Sequence, residues 1–168
     1  MTTNTPAALE KTLETRKQLW KSVEGMDDET LNRRSQQGGW TIAQVLEHLY
    51  LMEGAISSSL TQALRAEGDH PTDRKPFHLS LDRSRKIEAP EYLRPAEEFR
   101  TRLELEAKLE RSRDALVLAA GSVDEERLPF KSYPHPVFGL MDAAQWLEFV
   151  GVHEQRHMDQ IEEIKRAL

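Results

Sequence analysis

The stretch Trp146-Leu147-Glu148-Phe149-Val150-Gly151-Val152-His153-Glu154-Gln155-Arg156-His157-Met158-Asp159-Gln160-Ile161-Glu162-Glu163-Ile164 decides the fold. Trp146, Phe149–Val150, His153, His157, Ile161 and Ile164 recur every three or four residues, the period of an α-helix with one buried face. Asp142 stands where an N-cap is needed, Gln145 falls at N3, and Met141 and Trp146 are spaced as a hydrophobic staple. Two imidazoles, His153 and His157, lie on the apolar face of this helix. At i, i+4 their Cβ atoms are about 5–6 Å apart, close enough for both rings to converge on one ion.

Working outward, three more helices follow from the same period. The first runs from about Thr5 to Glu24 on Leu9, Leu13, Leu19–Trp20 and Val23, with Gly25 as a stop. A polar connection, Asp27 to Gly39, holds one turn of helix near Glu29–Arg33. Thr41 and Gln44 then form a capping box, and Trp40 and Val45 a staple, for a second helix reaching about Ala66 on Val45, Leu49, Met52 and Ile56. Glu67 to Leu93 is a long, proline-rich connection of the kind that is usually functional or mobile. Pro95 suits the first position of a third helix, with Glu97 and Glu98 in its first turn and Leu103, Leu105, Leu109, Leu116 and Val117 inside, ending near Gly121. Ser122 to Met141 connects it to the last helix, and Pro134 and Pro136 hold His135 extended. No strand alternation is evident. Four long helices with two long connections predict an all-α four-helix bundle with long crossover connections, one domain over residues 1–168, and not a simple up-down-up-down meander.

Composition narrows the function. There are no cysteines, which removes disulfides, thiolate ligands and a cysteine nucleophile, and fits a reducing compartment. Met1 to Pro6 is polar and does not lead into an apolar run, so no signal peptide is expected. No stretch approaches the ~20 apolar residues of a membrane span. The net charge of −6 argues against nucleic acid as partner. A cytoplasmic protein without membrane or nucleic-acid partners is expected.

The histidine pair has two readings: metal ligands, or core imidazoles hydrogen-bonded to carbonyls or carboxylates. His48, one turn after Gln44 and beside the apolar stripe of the second helix, is the best-placed third ligand. Three neutral imidazoles suit Zn, Ni or Fe better than Mg or Ca, and leave a position open for water or substrate. Their affinity for metal should fall below about pH 6. His153-Glu154-Gln155-Arg156-His157 also matches the zinc-peptidase pattern, but no third ligand follows it and no strand is available to align a peptide. A di-iron bundle needs a second E-x-x-H step and two more inward glutamates, and the only other E-x-x-H lies in a turn at Glu67–His70.

Five segments carry a resemblance. Gly39-Trp40-Thr41 leading to Gln44 and His48, Lys86-Ile87-Glu88-Ala89-Pro90, His135-Pro136-Val137-Phe138-Gly139, Asp142-Ala143-Ala144-Gln145-Trp146-Leu147 and His153 to Ile161 occur in the order found in the DinB-like (YfiT-like) superfamily, over about residues 9–165. The chain resembles that family. The resemblance implies a bundle of unusual connectivity, with His48, His153 and His157 holding one divalent metal. It also implies kinship with transferases and an isomerase that use a low-molecular-weight thiol such as bacillithiol, mycothiol or glutathione, and with proteins that are often homodimers. Thiol transfer to an electrophilic small molecule, in detoxification or stress response, is the leading expectation. Metal-dependent hydrolysis of a small molecule is the second, and a non-catalytic metal- or ligand-binding stress protein the third. Gln44, His135, Arg156 and Gln160 are candidates to orient ligands or line the pocket: Gln160 lies one turn beyond His157, Arg156 could meet a substrate carboxylate, and His135 could reach the bundle mouth. Glu47 and Glu154 flank ligands as potential bases, though neighbouring helical positions point about 100° apart.

Overall fold

A computed structural model describes residues 6–168. Four long helices, α1 (Ala7–Ser22), α3 (Ile42–Arg65), α4 (Arg102–Ala120) and α5 (Ala143–Ala167), form the bundle, with a single-turn helix α2 (Asp28–Leu31) between the first two. Pro6 precedes α1, so the expected start at Thr5 lies outside the described residues. α2 forms where a turn was expected, with the Asp27 side chain accepting from Thr30 N. α3 begins on the predicted capping box: Thr41 Oγ1 accepts from Gln44 N at 3.1 Å and Gln44 Oε1 from Thr41 N at 3.0 Å.

Two apolar clusters fill the interior, one around Leu9, Ile56, Leu60, Leu116, Trp146 and Phe149, the other around Leu19, Val45, Leu49, Leu105, Leu109, Met158 and Ile161. The chain passes from the first to the second along α1 and α5, and from the second to the first along α3 and α4. Each of those pairs is therefore parallel, and the two pairs are antiparallel to one another. Helix α1 packs on α5 and α3 on α4, while α3 against α5 joins the pairs. Gly151 permits the close approach of α1 and α5, since a Cβ there would stand 3.3 Å from Thr12 Cγ2. Parallel neighbours α3 and α4 cannot be joined by a short turn, which is why residues 66–101 must travel the length of the bundle.

That crossover is tied down along its route. Asp142 and Gln145, at the start of α5, bind Thr72, Asp73 and Lys75. The 3₁₀ turn Phe77–Leu81 buries Phe77 against Phe149. Arg83 forms a two-pronged pair with Glu163. A second 3₁₀ turn, Glu91–Leu93, brings the chain to α3.

Two expectations are corrected. Helix α4 starts at Arg102 and not at Pro95, because Thr101 and Glu104 form a capping box and residues 96–100 are held elsewhere. Gln44 Nε2 donates to Ala96 O, and Asn32 exchanges two hydrogen bonds with Arg100. Leu103 is consequently 76% exposed, and Leu13 on α1 is also exposed. The second correction is an antiparallel hairpin between α4 and α5, β1 (Ser132–His135) and β2 (Gly139–Asp142), where no strand was read. The prolines extend β1, and Gly139, at φ 72°, closes the turn in a conformation L side chains rarely adopt. Asp142 ends β2 and caps α5 in the same step.

Candidate metal centre

The capping boxes set where the imidazoles stand. Thr41 fixes the first turn of α3, so His48 falls in its second turn, turned toward α5. Asp142 Oδ1 accepts from Gln145 N at 2.9 Å and fixes the start of α5, which places His153 and His157 one turn apart on the face meeting α3. One nitrogen from each of the three rings lies within 4.8 Å of the others. The ring centroids are 5.3 Å apart for His48–His153, 4.7 Å for His48–His157 and 4.5 Å for His153–His157.

The outer nitrogens decide the tautomers. His48 Nδ1 donates to the carbonyl of Leu93 at 2.8 Å, and His157 Nδ1 to Gln160 Oε1 at 2.7 Å. Both rings therefore keep their Nε2 lone pairs for the interior. His153 Nε2 lies 3.1 Å from His157 Nε2. Two imidazole nitrogens bound to one ion at about 2.0–2.1 Å would be separated by roughly 2.9–3.4 Å, so the spacing suits a shared ion. Among the described residues His153 Nδ1 makes no hydrogen bond, so the ring can carry its proton there and free Nε2. The donor set fits a divalent transition metal.

Burial keeps these rings neutral, the form a metal requires, and corrects the expected loss of affinity below about pH 6 to a lower pH. It lowers the His48 pKa, against a smaller opposing effect of the Leu93 carbonyl. It pushes His157 down to about 3, assisted by His48, and holds His153 well below the ordinary value with help from His157 and His48.

The surroundings are mostly aromatic. Trp40 lies 5.0 Å from His48 and Phe149 5.6 Å from His153, centroid to centroid. His135 packs edge-on against Phe149 at 4.9 Å. Its Nδ1 accepts from Val137 N and Phe138 N, at 3.0 and 3.2 Å, so its proton resides on Nε2; burial lowers its pKa to about 4. Gln160 meets His157 directly.

Two pocket candidates are used otherwise. Gln44 is consumed by the α3 cap and by Ala96. Arg156 donates to the carbonyls of Ser80, Asp82 and Arg85, and so clasps the crossover to α5. The potential bases are committed as well: Glu47 pairs with Lys108 and Arg100, and Glu154 with Arg16 and Arg113. The Leu93 carbonyl escaped sequence reading because a backbone oxygen has no residue type to betray it.

The sequence pattern of the DinB superfamily matches residues 11–161. The chain belongs to the DinB superfamily. Protein YuaE of Bacillus subtilis strain 168, itself uncharacterised, is 32% identical over 155 residues, 92% of this chain and 95% of its own. Two known structures share the fold. TT2238, a four-helix bundle protein, superposes with a TM-score of 0.61 at 22% identity, over 93% of this chain and 96% of its own. YfiT of Bacillus subtilis, described as a probable metal-dependent hydrolase with an unusual four-helix bundle topology, gives 0.63 at 18% identity, over 99% and 88%. Among its described residues the chain has the parallel-pair bundle and a histidine cluster able to hold a metal. No helix among the described residues is long and apolar enough to cross a membrane.

Proposed function

We propose that this DinB protein is a divalent-metal-dependent enzyme that transfers a low-molecular-weight thiol to an electrophilic small molecule, with His48, His153 and His157 as ligands. The reading rests on three imidazoles whose inner nitrogens face one point while neighbouring carboxylates are turned away. A bound Zn, Ni or Fe ion with an open position would favour the anion of a thiol or of water near neutral pH. A free thiol, at pKa about 8.5, needs only a small downward shift to ionise, whereas water must fall from about 15.7 and commonly gives its proton to a base. With Glu154 paired to Arg16 and Arg113 and Glu47 held through Oε1 by Lys108 and Arg100, a sulfur nucleophile is the better match. The chain has no cysteine, so the sulfur belongs to a cosubstrate.

The protein's own groups have separable tasks. Leu93 and Gln160 orient His48 and His157. Trp40 and Phe149 shield the cluster from water. His135, neutral with a proton on Nε2, is available as a hydrogen-bond donor to a substrate oxygen. Metal-dependent hydrolysis is the second reading, favoured by the fold shared with YfiT.

The test is elemental analysis of untagged protein followed by paired assays, one with thiols and electrophiles, the other with esters and amides in the absence of thiol. About one equivalent of metal and thiol consumption abolished by chelation and by His153→Ala are expected. Metal-dependent cleavage without thiol would replace transfer by hydrolysis.

A further inference from the structure

The two apolar clusters are separated by a charged layer, buried apart from the partly exposed Arg16, to which each long helix contributes one residue: Arg16 from α1, Glu53 from α3, Arg113 from α4 and Glu154 from α5. Arg16 Nη2 lies 2.9 Å from Glu53 Oε2 and 3.0 Å from Glu154 Oε1. Arg113 Nη2 lies 3.0 Å from Glu53 Oε2 and also contacts Glu154 Oε1. Each cation thus touches both carboxylates. Ser112 Oγ donates to Glu53 Oε1 at 2.9 Å, and Arg16 Nη1 and Arg113 Nη1 donate to the carbonyls of Leu109 and Thr12.

The distribution of signs has a consequence. Both histidine-bearing helices, α3 and α5, contribute the carboxylates, and both helices without site histidines contribute the guanidinium groups. Two buried carboxylates repel, and Glu53 of α3 and Glu154 of α5 are joined at this level through the shared cations. Glu154 is the residue next to His153, and Glu53 lies five residues beyond His48. Apolar layers of leucine, isoleucine and valine tolerate small rotations and slides of a helix. A charged layer with shared forks does not, because a slide of one turn, about 5.4 Å, would separate every pair.

We infer that Arg16, Glu53, Arg113 and Glu154 are positioning residues of the histidine centre, fixing the register and rotation of α3 against α5 so that three imidazoles converge. The inference rests on the metal reading of that centre. It also assigns the glutamate of His153-Glu154-Gln155-Arg156-His157 a role as an anchor of its helix and not as a base.

Titration with Co²⁺, whose visible absorption reports ligand number and geometry, tests it. The proteins are the wild type, the compensated pair Arg113→Met/Glu53→Leu, and the four-site variant Arg16→Met/Glu53→Leu/Arg113→Met/Glu154→Leu. Removing cations and anions together leaves no lone buried charge, so both variants should retain helical circular dichroism and a cooperative urea transition. Co²⁺ binding is expected to weaken at least tenfold in both, with an altered band envelope. Wild-type affinity and spectrum in a folded variant would overturn the inference while leaving the metal centre intact. If neither variant folds, Arg113→Lys decides, since it keeps the charge and loses the fork: two- to fivefold weaker binding is expected, and unchanged binding overturns the inference. No Co²⁺ binding by the wild type would remove the metal reading itself, and this inference with it.

Discussion

Two polar groups lie buried side by side in this bundle, and they differ in completeness. The layer of Arg16, Glu53, Arg113 and Glu154 is balanced in charge, and its carboxylate oxygens all have partners. The imidazoles of His48, His153 and His157 have their outer nitrogens ordered by the protein in two cases, while their inner nitrogens face one another. A charge-balanced group whose anions are all met needs no further ion and is architecture, although Arg16 Nε within it has no partner among the described residues. A group arranged by its surroundings to present lone pairs to a common point is a receptor for a cation. Burial alone does not separate the two, but the destination of each lone pair does.

Breaking the balance of the first group should give the largest effect. Arg113→Met alone leaves two buried carboxylates on one remaining guanidinium and is expected to cost about 3–5 kcal/mol in urea denaturation. His153→Ala should instead leave the metal-free protein within about 1.5 kcal/mol of wild type, because it loses the Nε2 contact to His157 while its Nδ1 has no partner among the described residues. What it should lose is the stabilisation by added metal, about 2.7 kcal/mol at a concentration one hundred times the wild-type dissociation constant. A comparable loss of metal-free stability in the two variants would erase the distinction between the groups.

Acid probes the same contrast. His157 and His135 have folded pKa values near 3 and 4, below the ordinary 6.5, so between those limits the unfolded chain binds more protons than the native one. Stability then rises with pH inside the window, is complete above about 6.5, and is lost as pH falls toward the folded values. Each histidine contributes at most about 1.4 kcal/mol per pH unit there. Urea titrations of chelator-treated protein at pH 7.5, 6 and 5 should show this slope, and His135→Ala should flatten it. An equal slope in that variant would mean that His135 is not held neutral.

Much of this was legible in the residues. The apolar stripes and capping boxes of α3 and α5 specify their own ends, because a cap is a local arrangement written within four residues. The pair His153 and His157 was legible for the same reason, since helical periodicity puts both on one face, whereas bringing His48 to them takes the packing of α3 on α5. Helix α4 was misread at its start because Pro95, Glu97 and Glu98 form a good local beginning, and the Thr101–Glu104 box prevails only once Ala96 and Arg100 are tied to Gln44 and Asn32, residues distant in sequence. The charged layer did leave a trace, a charge set between apolar neighbours at Leu109–Arg113–Leu116 and Val150–Glu154–Met158. Its pairing required the parallel arrangement of helices, which no single helix reveals. The partners of Arg156 were hidden on the same ground, since its three carbonyl partners come from the crossover.

The finest difference between the two groups lies in the link from His157 to Gln160. The charged layer is held by ions, whereas this imidazole is oriented by one neutral amide oxygen 2.7 Å from Nδ1. Removing the amide with Gln160→Ala should free the ring to rotate and weaken metal binding about tenfold, the low end of what outer partners of ligating histidines contribute. Gln160→Glu should act in the opposite direction. A carboxylate accepts the same proton more strongly, makes the inner nitrogen a better donor, and adds a negative charge near the cation. Calorimetric titration with Zn²⁺ should therefore rank the glutamate variant above wild type and the alanine variant below it, with helical content unchanged in all three. Equal affinities across the series would show that His157 is held by packing alone, and that the centre is organised by the same forces as the core around it.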